Sequence, residues 1–218
     1  MNKIEKITPL YETKFLNMYD LEHDGGRHYF EATRRTKEDL VGIKDEEAFK
    51  TMEPDAVSCV VILKVPNEEP KLLLFYEYRY PISQYLLSIP AGLIDDCDKG
   101  KKDALILTAK REIEEETGIK VKDSDRIYEI NHCAFSSPGM TDESNGFICA
   151  VVDIPDYSDL SQEGAVGGES FDGFYLVTKE EAKKLLNEGR DVHGCFFSLA
   201  TWSALLFFTA DFWRKDND

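Results

Sequence analysis

The chain has 218 residues, enough for one sizeable domain or for a domain with a small appendage. Its 42 acidic residues outnumber its 26 basic ones, giving a formal net charge of −16. This charge argues against binding of DNA or RNA, because nonspecific affinity for a nucleic acid polymer comes from lysine and arginine.

Cysteine usage and hydropathy indicate a cytoplasmic protein that does not enter the membrane. The five cysteines are scattered and lack paired spacing, which is typical of reduced thiols. No apolar signal-peptide core follows the first residues. The most apolar stretch, 196–213, is interrupted by serine, threonine and aspartate, so it predicts a buried or interface helix and not a membrane span.

Residues 1–50 are predicted to form a small N-terminal β-hairpin subdomain. The segment 14–19 alternates like a strand, Asp24-Gly25-Gly26 is a turn signal, and 28–32 reads as the return strand. A lone hairpin is too small to be stable in water. We therefore expect it to pack either on the main domain or on a second subunit.

Residues 51–218 are predicted to form the main domain, of class α+β, with a mixed sheet flanked by helices. A helix is expected over 103–117, with Ile106, Ala109 and Ile113 facing the core and Gly118 ending it. A short strand is expected to enter Pro90-Ala91-Gly92. The other predicted strands are 56–63, 71–78, 126–135, 146–153 and 171–177, and the other predicted helices are 179–187 and 196–213.

The end of the first of these helices carries a block of carboxylates. Glu112, Glu115 and Glu116 stand at i, i+3 and i+4 and share one helical face. Three like charges repel each other there and also oppose the helix dipole near a C-terminus. A divalent cation such as Mg²⁺, which takes oxygen ligands, would offset that cost. The alternative is a solvated acidic face.

Three segments together resemble the Nudix hydrolases. The box of that family runs Gly, five residues, Glu, seven residues, then Arg-Glu-aliphatic-any-Glu-Glu-any-Gly-aliphatic, and Arg111 to Ile119 match the second half at every defined position. Pro90-Ala91-Gly92 and the Ser-Pro-Gly…Asp-Glu loop at 136–143 resemble the ADP-ribose pyrophosphatase branch. The resemblance implies a Nudix α/β/α sandwich and metal-dependent hydrolysis of ADP-ribose or a related nucleoside diphosphate sugar, giving AMP and a sugar phosphate.

The same resemblance implies a metal site. Glu112 and Glu116 are expected to be the principal ligands of Mg²⁺ or Mn²⁺, with the backbone carbonyl of Ala91 completing the site. Glu115 is expected to bind the metal or to relay a proton. The fixed fork of Arg111 suits holding a box carboxylate better than holding the substrate.

The resemblance also implies the rest of the catalytic machinery. Glu143, with Asp142 as the fallback, corresponds to a general base on the Ser-Pro-Gly loop. The N-terminal hairpin is expected to swap between subunits of a homodimer and to help build the partner's site. Residues that correspond to aromatic stacking, adenine-edge and phosphate contacts with a small nucleoside diphosphate substrate are Phe15, Phe30, Glu31, Arg35 and Arg79.

The chain departs from the family pattern before the helix. Residues 93–110 number eighteen, where the box leaves thirteen between its glycine and its arginine, so 96–102 is expected to form a longer loop. The first glutamate of the box then has two candidates, Asp98 and Asp103. Ser88 stands where this branch often has glutamate, which could shift specificity.

Two alternatives to ADP-ribose hydrolysis remain open from the sequence. One is the same chemistry on a GDP- or UDP-sugar, a dinucleotide or a coenzyme. The other is a catalytically silent Nudix module that binds a nucleotide. Silencing would be expected to remove box carboxylates, and Glu112, Glu115 and Glu116 are all retained.

Overall fold

A computed structural model of the chain describes residues 3–95, 97–164 and 170–214. The chain divides into two compact units, described separately below. The first takes in the described residues up to Asp55 together with Cys133–Asn145, and the second takes in Ala56–His132 and Gly146–Asp218. The division into domains at residue 50 stays a prediction.

The first unit is built on a three-stranded antiparallel sheet in the order β1-β2-β3, with β1 Ile4–Glu12, β2 Asn17–His23 and β3 Arg27–Thr33. The β2–β3 hairpin turns at 24–26, where all three residues have positive φ. The sheet buries Tyr19 and Leu21 against Leu40. A 3-10 turn at Val41–Ile43 and the short helix α1, Glu46–Lys50, follow.

The second unit contains a sheet whose path runs β10-β5-β4-β9-β8, with β6 paired to β5 and β7 paired to β4. Strands β4 and β5 are buried along almost their whole length, as expected for a sheet covered on both faces. The strands are β4 Ala56–Lys64, β5 Lys71–Arg79, β6 Gln84–Ser88, β7 Ala91–Leu93, β8 Arg126–Phe135, β9 Ser144–Asp153 and β10 Phe171–Val177.

Helices cover both faces of that sheet. On one face α2, Ala104–Thr117, packs Ala109 and Ile113 into a core with β4 and β5 side chains. On the other face α3, Lys179–Glu188, and α4, Leu199–Thr209, pack into a second core. The predicted α+β class, with a helix-flanked sheet and a small antiparallel N-terminal sheet, is confirmed.

Several elements differ from the sequence prediction. Strand β1 was not predicted, because only Ile4, Ile7 and Thr8 of its nine residues are even partly buried and its alternation is weak. The last helix is shorter than 196–213, because Ser198 caps its start by accepting from the Thr201 N–H. Helix α1 was also missed, whereas the short strand expected to enter Pro90-Ala91-Gly92 is present as β6. Helix α2 matches closely and ends at Gly118, whose φ is +75°.

Within the described ranges, none of the helices has the length and the apolar character needed to cross a membrane.

Candidate functional site

The carboxylates of α2 are not equivalent once the helix is packed. Ile113 is fully buried against the sheet, and this orientation leaves Glu112 only 8% exposed and Glu116 only 4% exposed, whereas Glu114 faces solvent. Glu115 is half-buried at the edge. The alternative of a solvated acidic face is therefore wrong for Glu112 and Glu116, because an acidic residue is seldom this buried without partners that favour its charge.

Strand β7 brings backbone directly onto these two carboxylates. The Ala91 N–H donates to Glu116 Oε2 at 3.0 Å. A Cβ added to Gly92 would lie 1.9 Å from Glu112 Oε1, so that only glycine allows the approach. Pairing of Ala91 with Ser58 and of Gly92 with Val57 fixes the strand in this register.

Arg111 holds the outer side of the carboxylate cluster. Its Nη1 lies 2.8 Å from Glu112 Oε1 and 3.1 Å from Glu115 Oε2. Its Nη2 lies 3.2 Å from Asp95 Oδ2 and donates to the Leu93 carbonyl at 3.2 Å. The guanidinium thus contacts three carboxylates and one backbone carbonyl, and its role in orienting the box carboxylates stays a prediction.

The buried face of the site carries a thiol. Cys59 on β4 is fully buried. Its pKa is raised well above the usual value by burial and then by the negative charges of Glu116 and Glu112. Burial and the two carboxylates therefore both favour the protonated thiol.

The residues present fit a hard divalent cation. Two buried carboxylates, Glu112 and Glu116, lie against a backbone segment that contains the Ala91 carbonyl, and the Glu112 carboxylate occupies the position that a Cβ on Gly92 would take. Carboxylate and carbonyl oxygens are the ligands preferred by Mg²⁺ and Mn²⁺. Glu115 is held by Arg111, which also contacts Glu112.

A segment that the sequence did not point to lies against the end of α2. Ser161 N–H donates to the Thr117 carbonyl at 2.9 Å, and a Cβ on Gly164 would lie 2.7 Å from the Glu115 carbonyl oxygen. A cavity of about 480 Å³ opens here. It is lined by Arg111, Glu114, Glu115, Gly118, Ser161 and Gly164. Gly164 was the one sequence signal for this contact, because glycine allows a close approach between backbones. Sequence spacing alone does not reveal which distant segment it approaches.

In the first unit, Glu31 lies in a second cavity, of about 230 Å³. The side chain is only 8% exposed, and its Oε2 has no hydrogen-bond partner among the described residues. Burial, then the charge of Asp142, raises the pKa of Glu31 to about 7, with Arg35 partly opposing. A buried acid with an unused oxygen suits recognition of a polar ligand edge.

Asp142 and Arg35 are engaged in a buried network. Asp142 accepts from Thr33 Oγ1 at 2.6 Å and from the Val41 N–H at 3.1 Å. The Arg35 guanidinium lies 2.8 Å from Asp55 and 3.5 Å from Asp142. With its oxygens so engaged, Asp142 is a poor fallback base, and the predicted substrate contact of Arg35 stays a prediction.

The remaining residues predicted for the site are more accessible. Glu143 accepts from Arg34 Nε at 2.8 Å. Phe15 and Phe30 are exposed aromatic side chains. Arg79, at the end of β5, is half-exposed and lies 2.6 Å from Glu77. Thus the second unit brings together Ala91, Arg111, Glu112, Glu115 and Glu116 and also carries Arg79, whereas the first unit carries Phe15, Phe30, Glu31, Arg35 and Glu143.

The raised pKa of Glu31 predicts a pH-dependent stability. Because the folded pKa of about 7 exceeds the ordinary value of 4.5, the fold holds this proton more tightly than the unfolded chain does. The stabilisation is complete below pH 4.5 and is lost as the pH rises through 7. Glu31→Gln, neutral at every pH, should therefore be more stable than the parent at pH 8.5, by roughly 2–3 kcal/mol.

The measurement is thermal unfolding of both proteins at pH 5 and pH 8.5. At pH 5 the two melting temperatures should differ little, because Glu31 is then largely protonated in the folded state. Glu143→Gln, which removes a carboxylate from an exposed ion pair of the same unit, serves as the matched control and should show no such pH-dependent gain. Equal effects of Glu31→Gln at both pH values would contradict the prediction.

Comparison with known proteins identifies a family and several relatives of this chain. The NUDIX domain model matches residues 52–199. The chain is 31% identical over 140 residues to the ADP-ribose pyrophosphatase of Bacillus subtilis (strain 168), covering 64% of this chain and 66% of that protein. It is 26% identical over 117 residues to the ADP-sugar pyrophosphatase of Mus musculus, covering 54% and 50%. It thus spans about half to two thirds of the length of these curated relatives.

A solved structure shows the same fold over nearly the whole chain. The crystal structure of ADP compounds hydrolase superposes with a TM-score of 0.56 at 18% identity, covering 97% of this chain and 93% of that one. The family match extends over more than half of the chain and includes both β7 and the carboxylate helix α2. The chain therefore belongs to the NUDIX domain family.

Proposed function

We propose that this chain is a metal-dependent pyrophosphatase that hydrolyses ADP-ribose or a related nucleoside diphosphate sugar to AMP and a sugar phosphate. The observation that carries the proposal is the buried pair Glu112 and Glu116, closed by the backbone of Ala91 and Gly92. The relatives named ADP-ribose pyrophosphatase and ADP-sugar pyrophosphatase favour this substrate class.

The residues of the second unit divide the work between binding and orientation. Glu112, Glu116 and the Ala91 carbonyl would hold Mg²⁺ or Mn²⁺, and when bound this ion supplies charge neutralisation at the pyrophosphate and acidifies a water. Arg111 keeps the Glu112 and Glu115 carboxylates oriented through contacts of 2.8 and 3.1 Å. Water adds to one phosphorus, the bridging P–O bond breaks, and two monophosphates leave.

For the general base we keep Glu143, the acid on the Ser-Pro-Gly loop. Its carboxylate is oriented by Arg34, whose Nε donates to Glu143 Oε1 at 2.8 Å. Glu143→Gln is expected to lower kcat by roughly 10²–10⁴-fold, because the amide cannot take the proton. Turnover of ADP-ribose at saturating Mg²⁺ measures this, and Mg²⁺ affinity should be unchanged.

Glu163→Gln provides the comparison for that variant. Glu163 precedes Gly164, whose backbone lies against Glu115, so it is an acidic residue of the segment beside the end of α2. If Glu143→Gln keeps most of its turnover while Glu163→Gln loses it, the base belongs to that segment and the assignment of Glu143 is wrong.

For recognition of the nucleoside half we propose Phe15 and Phe30 as stacking surfaces and Glu31 as an acceptor or donor for the base edge. Their exposure and the unused Oε2 of Glu31 support these roles. Arg35 and Arg79 remain the cationic candidates for the substrate.

We also propose that the chain works as a homodimer in which the N-terminal sheet contributes to the partner's site. The exposed apolar side chains of that sheet, among them Tyr11, Met18 and Phe30, support an interface there. Light scattering at micromolar concentration should give twice the chain mass of 24.9 kDa. A fully active monomer would contradict the dimer.

The proposed function is tested with a panel of nucleoside diphosphate compounds and Mg²⁺ or Mn²⁺. Phosphate is measured after coupling to a phosphomonoesterase, which acts only once the pyrophosphate has been cleaved. ADP-ribose and ADP-sugars should react fastest. Preference for a GDP- or UDP-sugar, a dinucleotide or a coenzyme would change the assigned substrate and keep the pyrophosphatase reaction. Absence of all hydrolysis would favour a silent binding module.

A further inference from the structure

Glu77 breaks the pattern of its strand. On the face of β5 that packs toward α2, Leu73 and Phe75 are fully buried members of the core. Side chains alternate along a strand, so residue 77 is the next on that face and an apolar residue is expected there. The chain places a carboxylate instead, and it is only 9% exposed.

The residues paired with Glu77 in the sheet are apolar. Phe171 of β10 and Leu86 of β6 stand beside it in the sheet register. Its Oε2 lies 2.6 Å from Arg79 Nη2, and Ser88 of the neighbouring strand β6 is paired with Phe75, two residues before Glu77. Burial raises the pKa of Glu77, and Arg79 and Ser88 oppose that rise.

A gain in stability does not account for this pair. Moving a carboxylate from water into an apolar face is unfavourable, and an apolar side chain of similar volume is often at least as stable there as a buried ion pair. A residue that departs from the apolar pattern of its strand without a gain in stability often has a function. What the pair does provide is a fixed orientation for the guanidinium.

Arg79 lies at the end of its strand with its guanidinium accessible to solvent. It is the last residue of β5, and its backbone is aligned with Gln84 at the closed end of the β5–β6 hairpin. Its side chain is half-exposed, and among the described residues the carboxylate within ion-pair distance is that of Glu77. A guanidinium has five N–H donors in a rigid fork, so that most remain for an anionic ligand.

We propose that Glu77 is a positioning residue that holds the Arg79 guanidinium ready to bind a phosphate oxygen of the pyrophosphate substrate. This inference rests on the proposed function. It also gives Ser88 a task, because the serine stands where the resembled branch often has glutamate and would support the carboxylate of the neighbouring strand.

The test is a double-mutant cycle with Glu77→Gln, Arg79→Ala and their combination, assayed with ADP-ribose and Mg²⁺. Glutamine keeps the volume and removes only the charge, so the fold should survive, which thermal unfolding will verify. Glu77→Gln should raise KM about tenfold and change kcat less than about threefold, as for lost binding. It should have no further effect when Arg79 is already alanine, because the two act as a unit.

Calorimetric binding of ADP provides a readout that does not depend on turnover, and Glu77→Gln should weaken it by a similar factor. Glu180→Gln, which removes a carboxylate from an exposed Lys183 pair of the same 2.6 Å length, is the control and should change nothing.

Additive effects of Glu77→Gln and Arg79→Ala, or a loss confined to kcat, would overturn the positioning role while leaving the hydrolase intact. If the parent protein hydrolyses no substrate but binds ADP, the proposed function is wrong. The double-mutant cycle is then evaluated from the dissociation constants for ADP, so the positioning role is still tested. If the parent protein neither hydrolyses nor binds, both the proposed function and the positioning role are wrong.

Discussion

Replacing Glu116 with glutamine is expected to lower the turnover number at least about 10²-fold. Metal affinity or activity usually falls 10–100-fold even when the replaced residue only supports a metal ligand. Glutamine still offers an oxygen to the Ala91 N–H, which now donates to Glu116 Oε2 at 3.0 Å. The backbone contact can therefore persist while the negative charge is lost. The fall in activity should be partly recovered at high Mg²⁺ if affinity for the ion is the main loss.

Two measurements separate loss of the metal from loss of the fold. Mn²⁺ binding followed by electron paramagnetic resonance should weaken in Glu116→Gln. Without metal, the variant should melt at or above the parent temperature, because one of two like charges buried on the same helix face has been removed. Addition of Mg²⁺ should then stabilise the parent more than the variant, since a ligand that binds only the folded state shifts unfolding by mass action.

Glu114→Gln is the matched control for that variant. Glu114 lies on the same helix two residues away, but it is exposed and pairs with Lys120 at 3.0 Å. Its replacement should leave Mn²⁺ binding and turnover unchanged. Normal activity in Glu116→Gln, or equal losses in both variants, would show that burial of the Glu116 carboxylate serves the fold and not a metal.

How much of this site could be read from the sequence depends on the distance over which its parts interact. Helix α2 was predictable because its apolar period and its terminal Gly118 are local signals, and local spacing also places Glu112 and Glu116 on one face. Which of the glutamates would be buried was not predictable, because this depends on how the helix is rotated against the sheet.

The parts that sequence reasoning missed depend on long-range register. Strand β7 has three residues, too few for a periodic signal, yet its pairing with β4 decides that Gly92 meets Glu112. Glu77 was not singled out because a glutamate in a strand is normally read as solvent-facing. Ser161 and Gly164 come against α2 from more than forty residues downstream, and no local pattern encodes such an approach.

Gly92→Ala is the second variant with a large expected effect. The added Cβ would lie 1.9 Å from Glu112 Oε1 and 2.0 Å from its Cδ, closer than any stable contact. Strand β7 is held by its pairing with β4, so the carboxylate must move. We expect turnover to fall about as far as in Glu112→Gln, together with a loss of stability of about 1–3 kcal/mol from overpacking.

The combination of Gly92→Ala with Glu112→Ala identifies the cause of that effect. If the clash with the carboxylate is responsible, removing the Glu112 side chain relieves it, and Gly92→Ala should then cost little stability in the Glu112→Ala background. Denaturant unfolding measures the effect of Gly92→Ala on stability in the parent and in the Glu112→Ala background. Mn²⁺ binding should be weak in both proteins that carry Gly92→Ala. If Gly92→Ala destabilises the two backgrounds equally, the glycine serves the strand itself, and the close fit between β7 and the Glu112 carboxylate is not what holds the site together.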